Sequence, residues 1–140
     1  MKANTRNNQE NLVSNIKKLS SNSRNIIPYL NKNSYYNCWG FTSSMKGWTE
    51  NLTWIDRDLM EYLLKEKTKH ISKSKVKVGD IIVFRDEDYE NELLHTAIIT
   101  SPKRKEFIHK PGGCDLEMQN LEGTLGIHSY GNHIEIRRAL

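Results

Sequence analysis

The sequence predicts an α+β domain with N-terminal helices packed on an antiparallel sheet, and three observations carry that expectation. Up to about residue 67, apolar residues recur at helical spacing. From about residue 75, short runs rich in β-branched residues take over, separated by stretches rich in Gly, Pro, Asp, Asn and Lys. Helices come first and strands follow as a block, which is the order of an α+β domain and not of a wound parallel sheet. At 140 residues the chain has the size of one domain and can bury a core without disulfides. Only two cysteines occur, Cys38 and Cys114, so a disulfide framework does not organise it.

Residues 1–10 are polar and Asn-rich. Leu12, Val13, Ile16 and Leu19 share one helical face and predict a first amphipathic helix from about 9 to 20, ended by "SSNSRN". This divides the chain into a polar N-terminal segment with one helix, 1–24, and a main domain, 25–140. Ile26, Ile27, Tyr29 and Leu30 form an apolar patch around Pro28, and "NKNS" is a loop leading to Tyr35.

From Cys38 the positions of Trp39, Phe41, Met45 and Trp48 predict a short helix whose first turn carries the thiol. A second helix is expected from Asp56 to Lys67, with Leu59, Met60, Leu63 and Leu64 inward and acidic residues early, where the helix dipole favours them. Gly79-Asp80 forms a turn before a strand at Ile81 to Phe84. "LLHTAIIT" is a buried strand, "KEFIHK" a shorter one, and "HIEIRRA" alternates Ile134 and Ile136. "RDEDYENE", "SPKRK" and "PGGCDLEMQNLEGTLG" are loops by composition.

The balance of 21 Lys+Arg against 17 Asp+Glu, a net +4, permits an anionic partner without requiring one. "SPKRK" and "EIRRAL" suit solvated faces, and with no aromatic stacking platform or Gly-rich phosphate loop, nucleic acid is not the expected partner. No apolar run approaches about 18 residues, and the N-terminus lacks the apolar core of a signal peptide. The expectation is a soluble chain without a membrane span, which would reach any target outside the cytoplasm by another route or as part of a larger secreted protein.

Chemistry centres on "YYNCWGFT", residues 35–42. A thiol at a helix N-terminus with an imidazole nearby is placed to become a nucleophile. The unpaired N–H groups of the first turn could also stabilise an oxyanion. His95 heads an apolar strand, where a polar ring has little reason to enter a core, and could exchange the thiol proton. His109 ends the next strand 14 residues later (95 to 109), a separation that sets two rings side by side on hairpin-paired strands. His109 would then orient His95. The same residues admit other readings. Cys38 could be a buried structural cysteine among aromatic residues, and Cys38, His95, His109 and Cys114 could form a Cys2His2 zinc site in a binding module. His70, His128 and His133 read as surface or satisfied histidines, and Tyr35 and Tyr36 as packing residues.

"NCWGF", then "VKVGDIIVF", then "HTAIIT", then "EFIHK", in that order, resembles the NlpC/P60 family of papain-like cysteine peptidases over roughly residues 25–140. The resemblance implies the papain-like NlpC/P60 fold, with Cys38 as nucleophile, His95 as general base, His109 as orienting residue and Gly79-Asp80 as structural. It implies no cofactor and no metal. Asn37 departs from the family's usual Asp, and Trp39 from its usual small residue. "CWGF" is also close to the Cys-Trp-Ala-Phe of papain proteases, but those carry their histidine more than a hundred residues downstream, against 57 here (38 to 95). The resemblance further implies cleavage of amide bonds in peptidoglycan stem peptides, as by a delivered toxin domain or lysis factor. A cognate immunity protein is an expected partner in the toxin case. Relatives of the fold act as acyltransferases or deamidases, so an intracellular protein or acyl substrate is the alternative.

Overall fold

A computed structural model describes residues 36–49, 52–110, 117–120 and 130–140. The helix expected over 9–20, the patch around Pro28, the boundary near residue 24, Tyr35, Cys114 and His128 lie outside the described residues. Two helices, α1 (Cys38–Met45) and α2 (Arg57–Lys67), precede six strands: β1 (Thr68–Ile71), β2 (Ile81–Asp86), β3 (Glu92–Ser101), β4 (Glu106–His109), β5 (Glu117–Asn120) and β6 (His133–Ala139). The strands form one sheet in the order β1-β6-β2-β3-β4-β5, and every neighbouring pair is antiparallel. The architecture is α+β, with helices packed on an antiparallel sheet. Among the described residues no helix is long and apolar enough to cross a membrane.

Asn37 starts α1 as N-cap, its side-chain oxygen accepting from the Gly40 N–H at 2.8 Å. Phe41 to Met45 are all buried, so this helix lies inside the molecule instead of presenting a wet face. Asp56 caps α2 by accepting from the Leu59 N–H at 2.8 Å. Met60, Leu63 and Leu64 face inward, but Leu59 is 44% exposed, so the apolar stripe is narrower than the sequence suggests.

The sheet is apolar on both faces. One face meets the helices through Ile81, Val83, Leu93, Ile98 and Ile108, which pack with Phe41, Met45, Met60 and Leu64. Ile82, Phe84, Ala97, Ile99, Phe107 and Ile136 form a second cluster on the other face. Strand alternation accounts for the partition, except that the register shift between β2 and β3 after Phe84–His95 puts Leu93 on the helix side.

The structure adds two strands. β1 occupies "TKHI", where the polar sequence showed no strand pattern, and it pairs with β6 at the sheet edge. β5 lies inside "PGGCDLEMQNLEGTLG", expected to be loop throughout, and pairs with β4 with Gln119 opposite Phe107. Both are four-residue edge strands held by main-chain hydrogen bonds, which leave little trace in side-chain alternation. The Gly79-Asp80 turn has its own logic. Gly79 takes φ +92°, open to glycine and costly for other residues. The buried Asp80 carboxylate accepts two bonds from Arg138 of β6, each 2.8 Å, and one from the Lys77 N–H at 2.8 Å.

Candidate active site

Asn37, Trp39, Gly40 and Thr42 are each fixed by a specific contact. The Asn37 amide serves both edges of the Ile55 main chain: Nδ2 donates to the Ile55 carbonyl at 2.6 Å, and Oδ1 accepts from the Ile55 N–H at 3.2 Å. A carboxylate could not make the first bond, which gives Asn at this position a physical reason. Gly40 packs on the loop before α2 so closely that a Cβ would sit 1.6 Å from the Thr53 carbonyl oxygen. Trp39 lies under the Arg57 guanidinium, 5.6 Å from the ring centroid. Its indole N–H is buried with no acceptor among the described residues. Arg57 is held in turn by the Leu93 carbonyl at 2.9 Å and by Glu92 at 3.0 Å. Thr42 reaches the sheet, sharing a 2.8 Å hydrogen bond with the Thr96 hydroxyl.

These contacts set the first turn of α1 against β3. The Thr96 hydroxyl also donates to the Cys38 carbonyl at 3.4 Å. Pairing of β3 with β4 stops at Ile98–Ile108, and beyond that point the Thr96 side chain turns to α1. Cys38 is 8% exposed, and burial pushes its thiol up to about 11. The N–H groups of Thr96, Trp39 and Cys38 itself act the other way, as does the positive charge of Lys110. Lys110 is 2% exposed, with its ammonium 4.8 Å from the centroid of the Tyr36 ring.

The histidines come together on the opposite face of β3. His95 Nε2 and His109 Nδ1 share a 2.7 Å hydrogen bond, and both rings are buried. Tyr130 stacks on His95 at 4.2 Å between centroids and 15° between planes, and Phe84 and Phe107 close the aromatic enclosure. Burial, then repulsion from the neighbouring imidazole, pushes His95 down to about 3. His109 is pushed down to about 4 by burial, opposed by the nearby Gln119 of β5, which favours the protonated ring. Both rings are therefore neutral near pH 7.

Alternation along β3 sends Thr96 toward α1 and His95 away from it. The structure pairs the two histidines with each other and sets the thiol one residue along the same strand, but records no hydrogen bond between Cys38 Sγ and His95. Among the described residues no three His, Cys, Asp or Glu side chains are grouped to hold a metal. His70 lies on edge strand β1, and His133 pairs with Glu87 at 3.0 Å on the surface.

Sequence reasoning did not find Thr96, Lys110, Gln119 or Tyr130. Only Lys110 left a signal, as a lysine directly following an apolar strand that ends in histidine. Comparison with protein-family models, with curated proteins and with solved structures found no match to this chain.

Proposed function

We propose that the protein is a papain-like cysteine hydrolase of NlpC/P60 type, with Cys38 as nucleophile, His95 as general base and His109 as the residue that orients it. The observation that carries this reading is the 2.7 Å imidazole pair on β3 and β4, one residue along the strand from Thr96, whose hydroxyl bonds the carbonyl of Cys38 at the start of α1.

In this reading the His109 proton sits on Nε2, its Nδ1 accepts from His95 Nε2–H, and the His95 Nδ1 lone pair becomes the proton acceptor. Thiol and imidazole both rest neutral, so proton transfer accompanies attack instead of preceding it as a stable ion pair. Because Thr96 and His95 point to opposite faces of β3, attack requires Cys38 Sγ to leave its place on the α1 side and reach His95 Nδ1 past the edge of β3 where pairing with β4 has stopped, a rearrangement larger than the closing of an existing contact. Sγ then adds to the scissile carbonyl carbon as its proton passes to Nδ1. First-turn N–H groups, Trp39 among them, stabilise the oxyanion. Collapse expels the amine, which takes the proton from His95 and leaves a thioester on Cys38. Water, deprotonated by His95, releases the acid product and restores the thiol.

Peptidoglycan stem peptides are the substrate this reading favours, cut by a delivered antibacterial toxin or lysis factor. The test is expression with and without an added export signal, each beside Cys38→Ala. Lysis only by the exported, Cys38-intact form supports wall cleavage, and mass spectrometry of released muropeptides then locates the bond. Cys38-dependent toxicity confined to the cytoplasm moves the substrate to an intracellular protein. Lysis that persists in Cys38→Ala removes the nucleophile assignment.

A further inference from the structure

The sheet face that carries the two histidines also holds a cavity of about 700 Å³. Its floor is Ile82 of β2, Ile99 of β3, and Ile134 and Ile136 of β6. Ile82, Ile99 and Ile136 are each no more than 5% exposed, so the floor is recessed. A flat protein surface would not reach it, whereas a narrow apolar chain could. The volume lies inside the roughly 300–1,000 Å³ of ordinary small-molecule sites.

The mouth has the opposite character. Lys73, in the short 3-10 turn after β1, and Lys103, in the turn between β3 and β4, stand on its rim with Lys105 beside them. All three are exposed. No acidic side chain is among the described residues lining the cavity, and the histidine there, His133, is held by Glu87.

Together these features define a ligand by chemistry. The isoleucine floor offers no side-chain hydrogen bonds, so a polar ligand would lose its hydration there without compensation. The lysine rim disfavours a cation and rewards an anion at the mouth. We propose that this cavity binds a single-chain anionic amphiphile, a long-chain carboxylate, with its chain on the isoleucines and its head group at Lys73 and Lys103. Phe84 and Ala97 separate the floor from His95 along β2 and β3, so this site is distinct from the cysteine site and does not rest on the peptidase reading.

The test is calorimetric titration of the intact chain with dodecanoate below its micellar concentration. Dodecanol and dodecyltrimethylammonium serve as head-group controls, and anionic phospholipid vesicles as a membrane control. Dodecanoate is expected to bind saturably at one site, about tenfold more tightly than the cation. Lys73→Ser/Lys103→Ser is expected to weaken it about fivefold without moving the melting temperature, because both side chains are exposed. Ile134→Trp, which fills the cavity from a half-buried position, is expected to abolish binding. If Ile134→Trp does not fold, the lysine variant decides. Equal affinity for all three heads, no saturable binding, undiminished binding by the lysine variant, or binding to vesicles alone would each overturn the proposal.

Discussion

Cys38 combines a helix-start position with a deeply protonated thiol, and its reactivity tests which feature governs. Burial dominates, so in a Cys114→Ser background iodoacetamide should label Cys38 slowly at pH 7, with the rate climbing as pH rises toward about 11. Lys110→Met removes the positive charge that opposes this shift, so labelling should slow further at any fixed pH below that value. Stopped-time mass spectrometry reads both, and an unchanged rate in Lys110→Met would detach the lysine from the thiol. Asn37 gives a second residue-level test. Asn37→Asp keeps the oxygen that accepts from Gly40 and Ile55 but loses the buried donor to the Ile55 carbonyl. The helix dipole returns only part of the loss, so urea denaturation should show a net cost of about 1–3 kcal/mol. A neutral or stabilising result would mean that the cap outweighs the Ile55 bond.

The joint between α1 and β3 is where the candidate site depends on whole elements. It is fixed by Thr42 and the Cys38 carbonyl against Thr96, with Gly40 set against the Thr53 carbonyl of the loop before α2. Gly40→Ala forces a methyl group into a backbone oxygen and must displace either the helix start or the loop before α2. The expected loss is about 3 kcal/mol or more, with Cys38 labelling accelerated as the thiol is uncovered. A variant as stable as the parent, with unchanged labelling, would contradict this packing. The sequence discloses part of this joint. The apolar positions from Cys38 onward mark a helix whose first turn carries the thiol, and two histidines 14 residues apart in strand-like segments predict neighbouring rings. Gly40 gives no such warning, because what crowds it comes from residue 53. Thr96 reads as an ordinary strand residue, and the role of Gln119 depends on β5, a polar edge strand without alternation. Which face of β3 carries His95 was equally hidden, since both faces of the sheet are apolar and the alternation has no polar side to betray it.

At the scale of the molecule, the buried imidazole pair ties folding stability to pH. Unfolded, each ring titrates near 6.5; folded, His95 is held down to about 3 and His109 to about 4. Above about pH 6.5 both are neutral in either state and cost nothing. As pH falls below that value the unfolded chain takes up protons that the folded chain refuses, so stability declines from about pH 6.5 toward the folded values. The two rings share a hydrogen bond and titrate as a coupled unit, so the total is on the order of a few kcal/mol and not the sum of two independent shifts. Carboxylates add their own dependence only at lower pH, which leaves the interval from 6.5 to 5 as the window for the histidines. Urea midpoints should therefore fall across that interval in the parent and flatten in His95→Asn/His109→Asn, even though the double variant is less stable at pH 8. Parallel slopes would show that the rings take up protons in the folded state, and with that the neutral base required for proton transfer from Cys38 would be lost.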